Sequence, residues 1–137
     1  ADCTSQLKGD VRTMAPGDAI TVGAVKIEAV PAYNPHKPYH PQANRWLGFI
    51  LTVEGKRIYF AGDTDLIPEM KDIRVDIAIL PVGGTYTMTA AEAAQAAALI
   101  HPEVAIPIHC GDIVGTMEDA KEFHRLTPVP VEVKTPS

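Results

Sequence analysis

The chain has 137 residues, 46% of them hydrophobic and 21% charged, with a formal net charge of -5. That length fits one domain around a single core, and the mild acidity offers no basic field to a phosphate backbone, which excludes nucleic acid as a default partner. No stretch approaches the roughly 20 apolar residues that span a bilayer, and no charged-then-apolar leader opens the chain, so a soluble protein with no membrane partner is expected. Cys3 and Cys110 form neither a disulfide framework nor a paired zinc knuckle, which points to a reducing, cytoplasmic setting. The first residue is Ala rather than Met, and an upstream segment is expected to have been removed.

Pro16-Gly17-Asp18 marks a turn, and Lys26-Ile27-Glu28-Ala29-Val30 alternates polar and apolar residues as a half-buried strand does. From Pro31 to Asn44, four prolines, two histidines and two tyrosines break any period, and the segment reads as an ordered loop. Trp46 to Val53 and Arg57 to Ala61, separated by Glu54-Gly55-Lys56, carry a hairpin signature. Val75 to Val82 is almost continuously apolar, as a strand covered on both faces is. Thr89-Ala90-Ala91-Glu92 has the spacing of a capping box and opens a helix that runs to Ile100. Val104 to His109 reads as a strand, and Thr116 to Leu126 as a helix with Met117, Ala120 and Phe123 on one face. Val129 to Val133 reads as a closing strand. Hairpins followed by β-α-β-α-β give a mixed α/β domain in which helices cover a sheet, one unit from residue 1 to residue 137.

Several clusters have the residue types for chemistry. In Tyr59-Phe60-Ala61-Gly62-Asp63-Thr64-Asp65 a strand ends on carboxylates beside a glycine, a common way to present a hard oxygen ligand to a divalent ion. An Asx turn, with Asp63 or Asp65 capping Leu66 to Met70, fits the same residues. Ile106-Pro107-Ile108-His109-Cys110-Gly111-Asp112 is a second strand ending in polar groups, where His109 is either a ligand on a rigid element or a hydrogen-bonded strand-end imidazole. Cys110 is a thiolate ligand or nucleophile on one reading and a small buried residue on the other. In Tyr33-Asn34-Pro35-His36-Lys37-Pro38-Tyr39-His40-Pro41, prolines stiffen a loop around His36 and His40, candidates for a ligand or a substrate contact. His101 and His124 read as structural residues near helix ends. No Gly-X-Ser-X-Gly elbow is present, and Gly83-Gly84-Thr85 lacks the Walker-type partners of a phosphate cradle.

Taken together, Val30-Pro31-Ala32-Tyr33-Asn34, His40-Pro41, Trp46-Leu47-Gly48-Phe49, Phe60-Ala61-Gly62-Asp63-Thr64-Asp65, Leu80-Pro81-Val82-Gly83-Gly84-Thr85-Tyr86-Thr87-Met88 and Pro107-Ile108-His109 resemble the metal-dependent hydrolases of the metallo-β-lactamase superfamily. The order and spacing match through nearly the whole chain, and the relatives include the ascorbate-6-phosphate lactonase-like branch. The resemblance implies a four-layer αβ/βα sandwich with two metal ions at one edge, bridged by a hydroxide. Asp63 then matches the catalytic aspartate that bridges both metals, and His109 the last histidine ligand. Many relatives carry a histidine after the strand that Val25 to Ala32 forms; this chain has Asn34 there, with His36 and His40 downstream, and His40, held by Pro41, is the favoured ligand. Substrate contacts are implied for His36, Asn34, Gly84, Thr87 and Met88. The chemistry implied is attack by metal-activated hydroxide on an ester, lactone, amide or phosphoester, with Zn2+ expected and Mn2+ open.

The superfamily's His-X-His-X-Asp-His motif is absent, and Ala1-Asp2-Cys3-Thr4 resembles the middle of its fold. The expectation is an α/β (α+β) chain forming the C-terminal half of a metallo-β-lactamase-type sandwich, without the N-terminal half. One sheet face then lacks its apolar cover, so a homo-oligomer or a second chain is the expected partner, besides a small-molecule substrate. The lone chain supplies too few ligands for a hydrolytic dinuclear site. A noncatalytic fold remnant or binding module with at most one weak metal is the alternative, and an RNA-processing nuclease is disfavoured by the acidic charge.

Overall fold

The computed structural model describes residues 6–111 and 114–134. Strands β1 (Ala19–Val22), β2 (Val25–Pro31), β3 (Leu47–Val53), β4 (Lys56–Phe60), β5 (Ile77–Pro81) and β6 (Val104–Ile108) lie side by side in chain order in one sheet. β1 to β4 pair antiparallel, and β4, β5 and β6 run parallel. The connections dictate that switch, because tight turns join antiparallel neighbours whereas parallel ones need a crossover. The step from β4 to β5 passes through a 3-10 turn, Pro68–Asp72, and the step from β5 to β6 through helix α1 (Ala90–Ile100). Helix α2 (Met117–Leu126) follows β6.

Both helices start on capping boxes. Thr89 accepts from the Glu92 amide while Glu92 accepts from the Thr89 amide, and Thr116 and Asp119 repeat the exchange at α2. The expected strands form with ends shifted by a residue or two: β2 is longer than expected, β3, β5 and β6 are shorter, and β4 is displaced by one residue. The closing strand reduces to one parallel bridge between Ala105 and Val131, since Pro128 and Pro130 have no N–H to give a ladder.

Directly paired residues share a sheet face, so the register sorts the side chains into two sets. One contains Ile50, Tyr59, Ala78, Leu80 and Ala105, all buried beneath the helices with Met70, Ile100 and Phe123. α1 meets that face through alanines, Ala93, Ala94 and Ala97 among them, whose small size lets helix and sheet approach closely. The other set runs across every strand: Ile20, Ile27, Leu51, Ile58, Phe60, Ile77, Ile79 and Ile106. None of these is buried, and Phe60 is 43% exposed. β5 shows the contrast within one strand, for Ala78 and Leu80 are fully buried while Ile77 and Ile79 are not. The expectation that this strand is covered on both faces is therefore corrected: cover exists on one.

Candidate metal centre

β2, β4, β5 and β6 all point the same way, so the segments leaving their C-terminal ends meet at one edge of the sheet. Asp63 leaves β4, His109 leaves β6, and His40 comes from the loop after β2. Asp63 Oδ1 lies 3.5 Å from His109 Nε2, and Asp63 Oδ2 lies 3.7 Å from His40 Nε2. Both gaps are long for a hydrogen bond. A carboxylate facing a different imidazole with each oxygen suits cations held between the groups, and imidazole nitrogen with carboxylate oxygen is a donor set that zinc accepts. Among the described residues, however, no cluster of three or more His, Cys, Asp or Glu side chains encloses a metal position by itself. The donor chemistry fits a metal, and the donor number is short.

Each donor is held differently. His40 is 16% exposed at the side chain; its ring stands edge-on to Trp46, with centroids 5.0 Å apart, and its Nδ1 meets Asn34 Oδ1 at 2.8 Å. His109 has a left-handed backbone, φ 57°, which is strained for a residue with a side chain. Gly83 and Gly115 close around its carbonyl: a Cβ at Gly115 would sit 2.3 Å from His109 O, and one at Gly83 would sit 2.9 Å from it. In the Gly62-Asp63-Thr64-Asp65 turn only Asp63 projects outward, with its side chain 52% exposed. Thr64 is fully buried and its hydroxyl accepts from the Tyr33 amide. Asp65 is buried and accepts from Lys37 Nζ at 2.7 Å, while the same ammonium donates to the Thr87 carbonyl at 2.6 Å. Neither aspartate caps the 3-10 turn, whose first residue follows an Ile67 without side-chain capping.

His40, Asp63 and His109 open onto a cleft of about 620 Å³ that Tyr39, Tyr86, Thr87 and Cys110 also line. Tyr39 and Tyr86 form an edge-to-face pair, centroids 4.8 Å apart, that makes one wall. The Thr87 hydroxyl is buried and has no hydrogen-bond partner among the described residues. Burial, and secondarily Asp119, push the Cys110 thiol above its ordinary pKa, which disfavours a thiolate.

The remaining residues that the sequence marks as site candidates fall elsewhere, with physical reasons for each. His36 is exposed and lines a separate hollow with Pro35, Lys37 and Pro68, because the loop turns back on itself between His36 and His40. Asn34 is only 4% exposed and sits under His40. Met88 is fully buried in the core, and Gly84 donates its amide to the Met88 carbonyl in a turn behind the cleft wall. Cys3 and Asp112 lie outside the described residues. Sequence reasoning missed Lys37, Trp46, Tyr39 and Tyr86; for Lys37 and Tyr39 the signal was their place among the loop prolines, and Trp46 and Tyr86 are joined to the site by contacts far apart in sequence.

Residues 2–109 match the family described as Beta-lactamase superfamily domain. The chain belongs to that family. Within it, a UPF0173 metal-dependent hydrolase of Methanopyrus kandleri is 36% identical over 124 residues, covering 85% of this chain and 54% of the relative. A solved structure from Parabacteroides distasonis, named as a metal-dependent hydrolase, superposes with a TM-score of 0.80 at 40% identity, over 90% of this chain and 57% of that one. Igni18, a metallo hydrolase from Ignicoccus hospitalis, superposes with a TM-score of 0.77 at 27% identity, over 99% of this chain and 62% of that one. The fold is that of the metallo-β-lactamase superfamily, α+β with a mixed six-stranded sheet. The chain spans about half the length of the curated relatives it matches. Among the described residues no helix is long and apolar enough to cross a membrane.

Proposed function

We propose that the chain is the C-terminal part of a cytoplasmic metal-dependent hydrolase whose working site is completed by a second sheet. The observation that carries this reading is the convergence of His40, Asp63 and His109 on one cleft, with Asp63 offering one oxygen to each imidazole. In this role Asp63, His40 and His109 are the residues of this chain that would hold the metal, with Asp63 presenting one oxygen toward each imidazole. When bound, a divalent metal brings the pKa of water toward neutrality and polarises the scissile group. Zn2+ suits the imidazole nitrogens and Mn2+ the carboxylate. The Tyr39 and Tyr86 rings supply an apolar wall for a small molecule. Ester, lactone, amide and phosphoester substrates all suit such a site, with a lactone favoured if the chain sits in the ascorbate-6-phosphate lactonase-like branch.

The bare apolar face supports the need for a partner. It reaches the site, since Leu47, Trp46 and Phe60 line a second hollow of about 460 Å³ together with His40 and Asp63. A layer laid on that face would therefore arrive beside the half-open donors and bring the missing ligands. The first half of the family's fold is the proposed occupant, as a second chain; a homo-oligomer is the other arrangement that buries the face. The reading is tested by assaying hydrolysis of p-nitrophenyl esters, lactones and phosphodiesters by the chain with its co-purifying partner and Zn2+ or Mn2+. Loss of activity on Asp63→Asn and on His109→Ala is expected, and full activity in both variants would refute the assignment. The short donor number favours a second reading for the isolated chain, a noncatalytic binding module with at most one weak metal.

A further inference from the structure

The metal centre leaves Asn34 without a role, yet this residue is 4% exposed and each polar atom of its amide is engaged. Its Nδ2 donates to the Tyr86 carbonyl at 3.1 Å, and its Oδ1 accepts from the His40 backbone N–H at 2.9 Å. Those two neighbours are unambiguous, a carbonyl that only accepts and an amide that only donates, so they fix which end of the side chain is oxygen. The same oxygen lies 2.8 Å from His40 Nδ1. An oxygen with no proton can meet that nitrogen only as an acceptor, so Nδ1 must be the protonated ring nitrogen.

We infer that Asn34 is a positioning residue that locks neutral His40 in the Nδ1–H tautomer and turns its unprotonated Nε2 toward Asp63. In the neutral ring the 3.7 Å gap between Nε2 and Asp63 Oδ2 is then a pair of facing acceptors rather than a hydrogen bond. Two lone pairs aimed at each other call for a cation between them, and a second hydrogen bond that fixes the tautomer is how imidazole ligands are prepared for metal. The Trp46 ring packs edge-on against the imidazole, centroids 5.0 Å apart. The value of this tautomer for catalysis rests on the hydrolase reading; the tautomer itself does not, so either can fail alone.

The test is long-range proton–nitrogen NMR on the metal-free chain, with the imidazoles 15N-labelled, at a pH where free imidazole is neutral. The expected pattern for His40 is a single Nδ1–H tautomer, changing to mainly Nε2–H or a mixture in Asn34→Ala. Asn34→Asp keeps the acceptor and should retain the Nδ1–H pattern. Zn2+ titrated into the wild type should shift the Nε2 resonance, with affinity about 10-fold weaker in Asn34→Ala. A wild-type His40 in the Nε2–H form, or protonated on both nitrogens, would overturn the proposal, as would an unchanged tautomer in a folded Asn34→Ala protein. If Asn34→Ala does not fold, the wild-type and Asn34→Asp spectra decide: Nδ1–H in both upholds it, and Nε2–H in either overturns it. Nδ1–H in the wild type with hydrolysis unaffected by Asp63→Asn would fail the hydrolase reading alone, and Nε2–H with hydrolysis lost in Asp63→Asn would fail the lock alone.

Discussion

Leu80 and Ile79 are adjacent on β5, yet the first is fully buried under the helices and the second faces the uncovered side. Both faces carry large apolar residues, with different fates. A sheet whose solvent side were meant for water would alternate with polar residues, as antiparallel sheets do; this one places Ile27, Phe49, Leu51, Ile58 and Ile106 there instead. That pattern suits cover on both faces, and among the described residues the helices cover one. The metal centre lies at the edge where the two faces meet, which is why its donors are well held from beneath and open above.

The comparison can be broken most forcefully by substitution on β5. Leu80→Ala should destabilise the chain by about 2–5 kcal/mol in urea unfolding, because it leaves a cavity in the packed layer. Ile79→Thr should cost the isolated chain less than about 1 kcal/mol, while sharply weakening association with any partner in analytical ultracentrifugation. Equal losses of stability in the two variants would end the distinction between the faces. Beneath the site, Lys37→Met strands the buried Asp65 carboxylate and should cost about 1–3 kcal/mol, with much of the loss recovered in the Lys37→Met, Asp65→Leu double variant. Gly115→Ala should cost about 1 kcal/mol or more, since it forces a side chain into a left-handed position against His109 O, and should blunt the response of the His109 ring to Zn2+. The smallest effect is at the far end of the sheet. The Arg57 amide, and then Lys56, hold Asp76 below the usual carboxylate range. A depressed folded pKa adds stability above the ordinary carboxylate pKa that is lost as pH falls through the folded value. Asp76→Asn should therefore flatten the acid side of the Tm-against-pH curve and leave the covered core untouched.

What sequence alone disclosed was local. The Thr89 to Glu92 capping box, the turn at Glu54-Gly55 and the strand-end positions of Asp63 and His109 are each written within a few residues. The contacts that complete the site are not. Lys37 and Asp65 are 28 positions apart, Asn34 and the Tyr86 carbonyl 52, and no periodicity links them. The resemblance implied Met88 as a substrate contact, but its amide bonds to the Thr64 carbonyl and its side chain is fully buried in the core. The closing strand failed for a different reason, since proline lowers pairing without disturbing an apolar pattern.

In the proposed reading a second layer would cover the bare face and complete the half-open donors, and one measurement tests both at once. It is native mass spectrometry with metal analysis, on this chain alone and mixed with the upstream half of a relative's fold. No more than one weakly held metal is expected on the lone chain, and a one-to-one complex carrying two tightly held metals in the mixture. A lone monomer holding two metals tightly, or a complex holding none, would contradict the idea of a shared missing layer.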